Sequence, residues 1–539
     1  MKDDEATKTF EFYEEVDIEQ KRKQDIKENP LNLIQQIALG IFQAKKIVDY
    51  DVCMACGSTL VSSVLPYVRL DSSLGPLPLN EMNLVIGASG TGKTLPFRIV
   101  KGMLRKFNLL FPGRYTVEGV EGWFARKVQE EVRDNNGRLV EMRDTDEYVN
   151  DPYCTIVTDE ISQSFKEAKK EYMAGSIELL SQLYDGELKG TALSRGARVP
   201  QSPIYVSFLG ATVPEFVPSI PDYFFEQGLA GRINWLFIEP KDELPKFDLK
   251  DTKTYYDAVN ILTSYKKQLK YLLDLNIKYN PKKKSIMVKF DTDASVLYKK
   301  YHDEKYDSWK TNYDNENRGF DWQYKRRLHE LVLKKAGLIA VARCADNIIE
   351  EMKEQYFDKE KKYNERLDKI LEEQEKKIEE QRSKGKVKIS VDKLKIPKPP
   401  NYPSPQKVFD DIGVRVNKED MQEAINWINK NERHLKKILF IKKTGIVYNM
   451  GTLQVRREVY CPENLYVCLL KSKNRTLNTR QLWSISRISD FGTFKKYLAE
   501  ALQKGIIVKL NPKSVTVSNE KKRLGLDTKT RQPHVYKAI

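Results

Sequence analysis

Met82-Asn-Leu-Val-Ile-Gly-Ala-Ser-Gly-Thr-Gly-Lys-Thr94 is the stretch that decides the fold of this chain. Gly87 to Thr94 satisfies G-x-x-x-x-G-K-[ST] at every position, and both flanks suit it. Met82–Ile86 is an apolar run of strand length, whereas Phe97, Ile99, Val100, Met103 and Leu104 recur at helical spacing. A strand, a glycine-rich turn and a helix form a phosphate cradle. The backbone N–H groups of Gly87, Ala88, Ser89, Gly90, Thr91 and Gly92 turn inward at the positive end of the helix. Lys93 is then placed for the outer phosphates, and the Thr94 hydroxyl for Mg²⁺. The expected ligand is a nucleoside triphosphate, ATP, with Mg²⁺ as its cofactor.

Working outward, Cys154-Thr-Ile-Val-Thr-Asp159-Glu160 is a β run that ends in two carboxylates. Ligands of open α/β sheets bind at the carboxyl ends of strands, so both acids fall beside the phosphate loop. Asp159 is expected in the Mg²⁺ shell and Glu160 as the base that polarises water. The run Ile204–Leu209 leads into Gly210-Ala-Thr212-Val-Pro-Glu215, and Thr212 is the polar residue placed to touch the terminal phosphate or the water. Arg232 lies between the small residues Gly228–Gly231 and the run Ile233–Phe237. There it is either a finger for a neighbouring subunit's phosphate or an ordinary surface arginine.

Strand-like runs alternate with helical stretches from Met82 to about Pro240, which predicts an α/β fold with a mainly parallel sheet covered on both faces. The chain divides into a charged leader (1–28), an α/β ATPase core (29–245) and a helical lid (246–345). A Glu/Lys-rich helical insertion with a proline linker (346–405), a continuation of the lid (406–450) and a basic C-terminal unit (451–539) follow. From Asp251 to Ala345 strands give way to long helices. Within the insertion, Tyr363, Leu367, Ile370, Gln374 and Ile378 form one stripe. Asn417 and Asp420 have the spacing of a capping box.

Of 539 residues, 40% are hydrophobic and 31% charged, as in a globular protein. No run is apolar for the roughly 18 residues a bilayer needs, and Met1–Glu28 is too charged for a signal peptide. A cytoplasmic protein without membrane contact is expected. Cys53 and Cys56 form a lone CxxC with no second pair at a zinc spacing, so they read as buried free thiols.

The order of these parts resembles an AAA+ ATPase. The segment Gly228–Phe237 looks like the arginine-finger segment of minichromosome-maintenance helicases. The span from about Asn29 to Phe440 is similar to the helicase/ATPase domains of phage and plasmid primase-helicases. There Leu209-Gly-Ala-Thr-Val-Pro-Glu215 and Arg326-Arg-Leu-His329…Ala336-Gly-Leu-Ile339 have close counterparts. The resemblance implies that Arg232 acts in trans within a homo-oligomeric, hexameric ring. It implies that Arg326 or Arg327 contacts phosphate from the lid. Thr212 stands where the family more often has Asn, a departure at the water-positioning residue.

Net charge is +16, and residues 452–539 carry 18 Lys and Arg against 6 Asp and Glu. Such a balance predicts a polyanion partner, DNA. Glu463–Lys471, Thr479–Ser486 and Ser489–Lys504 read as three helices, followed by a hairpin of Ile506–Leu510 and Val515–Ser518. This is the pattern of a winged helix-turn-helix. Lys495 and Lys496 fall on its recognition helix, and Lys509, Lys513, Lys521, Lys522 and Arg523 on its wing. A further hairpin is expected within Gly186–Arg198, with Lys189, Arg195 and Arg198 as DNA contacts. The function expected is a ring-forming ATP-dependent DNA helicase or translocase for replication of a virus, plasmid or integrated element. The rivals are a DNA-packaging or transfer motor and an ATP-switched origin-binding scaffold.

Overall fold

The computed structural model describes residues 31–44, 49–89, 91–112, 117–133, 139–161, 176–189, 191–193, 196–220, 224–225, 228–238, 265–314, 321–383, 400, 402–444, 465, 476–486, 491–503, 507–510 and 535–538. The leader 1–28 lies outside them.

Four fully parallel strands make the central sheet: β1 (Met82–Gly87), β2 (Tyr153–Thr158), β3 (Tyr205–Thr212) and β4 (Asn234–Ile238), in the order β4-β1-β3-β2. A parallel bridge from Leu110 to Thr155 continues the sheet beyond β2. Every residue of β1, β3 and β4 is buried, the signature of strands covered on both faces. The chain is thus a mixed α/β protein with a parallel sheet, as the alternation of runs predicts.

The covering helices are α1 (Tyr50–Ser63), α2 (Thr94–Lys106), α3 (Asp321–Arg343) and α4 (Lys418–Thr444). Helix α1 is buried from Cys56 through Ser63, yet it meets the sheet with hydroxyls. Ser62 Oγ lies 2.9 Å from Ser207 Oγ of β3, and Thr155 of β2 donates to Ser63 Oγ at 2.6 Å. Asn83 of β1 donates to Thr59 Oγ1 at 2.9 Å. That amide chain continues across the sheet: Asn234 of β4 donates to Asn83 at 3.1 Å, and Asn431 of α4 donates to Asn234 at 3.2 Å. Buried polar groups satisfied this completely fix one register.

Lys335 of α3 is wholly buried, ion-paired with Glu81 and bonded to Ser58 Oγ at 2.8 Å, while Ser58 donates to the same glutamate. Its ammonium also lies 3.8 Å from the centre of the Trp427 ring. Asn417 caps α4 as its spacing predicts. Its backbone N–H donates to Asp420 Oδ2 at 3.0 Å, and the Asp420 N–H returns the bond to Asn417 Oδ1 at 2.8 Å.

A second sheet differs from the expectation of a strand-poor stretch after Asp251. Val68–Ser72 pairs in parallel with Ile286–Phe290, and that strand with Arg415–Val416; Gly75–Pro78 completes the order. One continuous apolar core accordingly runs from Leu33 to Ile441, across the expected core and lid segments. The insertion is helical: Ala345–Met352, a π turn at Lys353–Phe357, and Asp358–Ser383. Tyr363, Leu367, Ile370, Gln374 and Ile378 are half-buried positions on that last helix, whereas Leu371 is exposed.

The basic C-terminal unit has a core of its own, built on Leu465, Leu482, Phe494, Leu498, Ala501, Ile507 and Tyr536, against which Phe440 of α4 packs. Helices Thr479–Ser486 and Phe491–Gln503 stand on a three-stranded antiparallel sheet. Its order is Thr476–Asn478, Val535–Ala538, Ile507–Lys509. The described partner of Ile507–Lys509 is therefore Val535–Ala538; the expected arm Val515–Ser518 lies outside the described residues. So do Lys513, Lys521, Lys522, Arg523 and, Leu465 excepted, the expected helix Glu463–Lys471. Among the described residues, no helix is long and apolar enough to cross a membrane.

Candidate active site

The Gly87–Thr94 loop leaves the end of β1 and enters α2 at Thr94, the strand-turn-helix that the motif requires. Gly87 is held tightly: a Cβ there would meet Ile238 of β4 at 3.0 Å and Thr91 Oγ1 at 3.1 Å. Gly92 has φ +83°, a left-handed conformation that costs glycine nothing. Thr91 Oγ1 closes the turn on the Ala88 carbonyl at 2.9 Å. Gly90 lies outside the described residues. The Lys93 ammonium donates to the carbonyls of Gly87 and of Ala88, the latter at 2.9 Å. Burial pushes its pKa below the ordinary lysine value, while Glu160 and Glu215 pull the other way. Thr94 is exposed at the helix start.

Local pairing explains how the acids project. Thr158 pairs with Gly210, and the next bond between these strands runs from the Ile161 N–H to the Ala211 carbonyl at 2.9 Å. Asp159 and Glu160 are thus spare residues, extruded at the strand end. Thr212 closes β3 opposite Ile86 of β1 and is fully buried. Its hydroxyl donates to Glu160 Oε1 at 3.1 Å. Because β3 lies between β1 and β2, this threonine sits between the lysine loop and the acids. Asp159 is held differently: Lys101, two turns along α2, meets its Oδ1 at 2.8 Å. Glu215 and Lys101 were not singled out in the sequence. Glu215 follows the Thr212 strand by three residues, a signal that was available; nothing in the spacing pointed to Lys101.

The arginines are elsewhere. Asn234 pairs with Asn83 and Ile238 with Gly87, so Arg232 precedes the start of β4, at the edge of the sheet remote from the Gly87–Thr94 loop. The strand between spans about 13 Å at the ordinary rise, too far for one arginine side chain to cross. Arg232 is only 7% exposed, which overturns the surface-arginine reading. Its Nε and Nη2 donate to Asp185 Oδ1 and Oδ2 at 3.1 and 2.6 Å, and its Nη1 to the Gly228 carbonyl at 3.2 Å. Arg327 of α3 is half-buried at this same edge. It donates to Glu330 Oε2 at 3.1 Å and lies 4.0 Å from Asp185.

The lid arginine expected to contact phosphate, Arg327, is thus held by Glu330 and Asp185 at the edge remote from Gly87–Thr94. Helix α3 runs past residues that precede β1, with Lys334 on Asn80 at 3.0 Å and Lys335 on Glu81, and so serves the opposite edge. The backbone of Arg326 belongs to the same helix.

The hairpin expected within Gly186–Arg198 forms, with Thr191 paired to Arg198 and Leu193 to Gly196. Arg195 lies outside the described residues. Lys189 is exposed and meets Glu178 at 3.3 Å. A second hairpin, Lys127–Arg133 with Leu139–Tyr148, has no counterpart in the sequence reading. Lys495, Lys496 and Lys509 are exposed. Cys53 and Cys56 are buried within α1, and burial raises the Cys56 pKa well above the ordinary value. No protein-family model matches the chain, and no curated protein matches it.

Proposed function

We propose that this chain is an ATPase of the AAA+ type that assembles into a ring and moves along or unwinds DNA. One observation carries the reading. Lys93, Glu160, Thr212 and Glu215 gather at the carboxyl ends of three parallel strands, while Arg232 and Arg327 sit together at the other edge. From there neither arginine can reach the Gly87–Thr94 loop of its own chain. In a ring, each subunit offers that edge to its neighbour's loop, and the site becomes whole only at the junction.

In this reading Lys93 neutralises the outer phosphates. Thr94 and Asp159 hold Mg²⁺, which supplies charge compensation at the phosphate oxygens; hydroxyl and carboxylate oxygens are donors that suit this hard cation. Glu160, steered by the Thr212 hydroxyl, takes the proton of the attacking water. The basic C-terminal unit supports the DNA part. The first strand of its sheet precedes the two helices, the second and third follow them, and the third lies between the other two, as in a winged helix-turn-helix. Lys495 and Lys496 are then phosphate contacts on its second described helix, and Lys509 one on the wing.

The deciding measurement is ATP hydrolysis and forked-duplex unwinding by the full chain, Lys93→Ala and Glu160→Gln. DNA-stimulated hydrolysis with strand separation, lost in both variants, is the expected result. Hydrolysis without separation would leave a packaging or transfer motor. No hydrolysis at all would leave an ATP-switched scaffold and refute the enzyme.

A further inference from the structure

Helix α2 ends beside a cavity of about 620 Å³ that hydrolysis does not use. Its size is within the roughly 300–1,000 Å³ of small-molecule pockets. Lys101 and Arg105, one turn apart on α2, line it with Asn108, Phe111 and Trp123. Hydrogen-bond donors therefore dominate one side. The indole Nε1 of Trp123 is buried with no hydrogen-bond partner among the described residues, an N–H without an acceptor. The same ring packs edge-on against Phe111, with centroids 5.6 Å apart and planes at 69°. Asp151, the acid in the lining, accepts a hydrogen bond from Tyr153.

We propose that this cavity is a second ligand site, for a nucleoside phosphate. The phosphate lies between Lys101 and Arg105, and the base lies against the Phe111–Trp123 pair. Two cations one helical turn apart suit a phosphate, and an aromatic wall beside them suits a heterocycle better than a bare anion. Lys101 gives the site a consequence. Its ammonium holds Asp159 at 2.8 Å. A phosphate in the cavity competes for that ammonium and frees the carboxylate for Mg²⁺. This link rests on the ATPase reading; the site does not.

The test is calorimetric titration of AMP, and separately of inorganic phosphate, into the full chain and into Lys93→Ala. AMP is expected to bind both alike. Arg105→Glu in the Lys93→Ala chain should weaken it about tenfold or more, the worth of a charge-assisted contact. Trp123→Leu, which removes the aromatic wall, should weaken AMP binding and leave the binding of inorganic phosphate unchanged. Absence of AMP binding in both chains overturns the proposal. Binding seen only with an intact Lys93 also overturns it, since AMP then occupies the phosphate loop. Phosphate binding as tightly as AMP removes the base from the site and overturns the ligand class. The link is read by AMP stimulation of ATP hydrolysis in wild type but not in Arg105→Glu. An unchanged rate with AMP bound refutes the link alone, whereas failure of the ATPase reading shows as no hydrolysis in any chain.

Discussion

Arg232 closes its guanidinium on both oxygens of Asp185, at 3.1 and 2.6 Å, and Arg327 stands 4.0 Å from the same carboxylate. One acid thus organises two arginines from distant segments, the turn before β4 and α3. Asp185→Ala leaves a buried guanidinium short of its acceptors, and we expect a loss of about 1–3 kcal/mol in urea unfolding. In the ring reading, Arg327→Ala chains mixed with Lys93→Ala chains regain hydrolysis, because some junctions then pair an intact loop with an intact arginine. Failure to recover at every mixing ratio would refute the intersubunit role.

Glu160 and Thr212 should separate binding from chemistry. Glu160→Gln keeps nucleotide affinity and lowers kcat by roughly 10²–10⁴, the usual worth of a general base. Thr212→Val, which loses only the 3.1 Å hydrogen bond, lowers kcat less and leaves KM unchanged. A rise in KM with kcat intact would mean that Thr212 serves binding.

The Lys335–Glu81–Ser58 group tests the buried electrostatics. Lys335→Met strands Glu81, 3% exposed, without its cation and should cost about 3–5 kcal/mol. The double variant Lys335→Met/Glu81→Leu should recover most of that loss. Equal stability of single and double variants by denaturant titration would show that the charge pair is not the source of the cost.

Lys334 gives a pH dependence with a definite sign. Burial lowers its pKa from 10.5 to about 8; Glu330 and Asp185 raise it again, and Arg232 and Arg69 lower it further. Below pH 8 both folded and unfolded chains carry the proton, and the burial penalty is fully present. Between about 8 and 10.5 the unfolded chain holds more protons, so this lysine's contribution to stability rises with pH. The rise relative to Lys334→Met should total about 3 kcal/mol. Parallel stability curves for the two proteins across that window would refute the assignment.

The basic unit is testable by salt. Lys495→Glu/Lys496→Glu should weaken DNA binding and reduce the magnitude of the slope of log K against log salt by about 2, as two phosphate contacts are lost. An unchanged slope would remove this helix from the DNA interface.

Local signals were legible in the sequence. The P-loop strand and helix, the Asn417–Asp420 box and the helix Thr479–Ser486 each depend on residues within a few positions of one another. The candidate site was legible as far as its residues lie on the motif or at strand ends. Strand order was not, since nothing near Thr212 states that β3 lies between β1 and β2. Nor was the company kept by Arg232, because Asp185 and Arg327 are remote in sequence and meet it only after folding. The Lys127–Tyr148 hairpin escaped notice for another reason. Its strands are rich in Glu, Asp, Lys and Arg, and alternation of apolar with polar residues is the cue by which strands are read.

The hydroxyl face of α1 also has a bearing on time. Ser58 finds its lysine 277 residues later in the chain, and Ser62 its serine 145 residues later. At about 5–20 residues per second of synthesis, Ser58 waits on the order of 15–55 s for Lys335 to be made. A helix with a greasy face would spend that interval seeking any apolar surface, including another nascent chain. Ser58, Thr59, Ser62 and Ser63 instead spend it hydrogen-bonded to water, and exchange that solvent for Glu81, Asn83, Ser207 and Thr155 only when the sheet has formed to receive them.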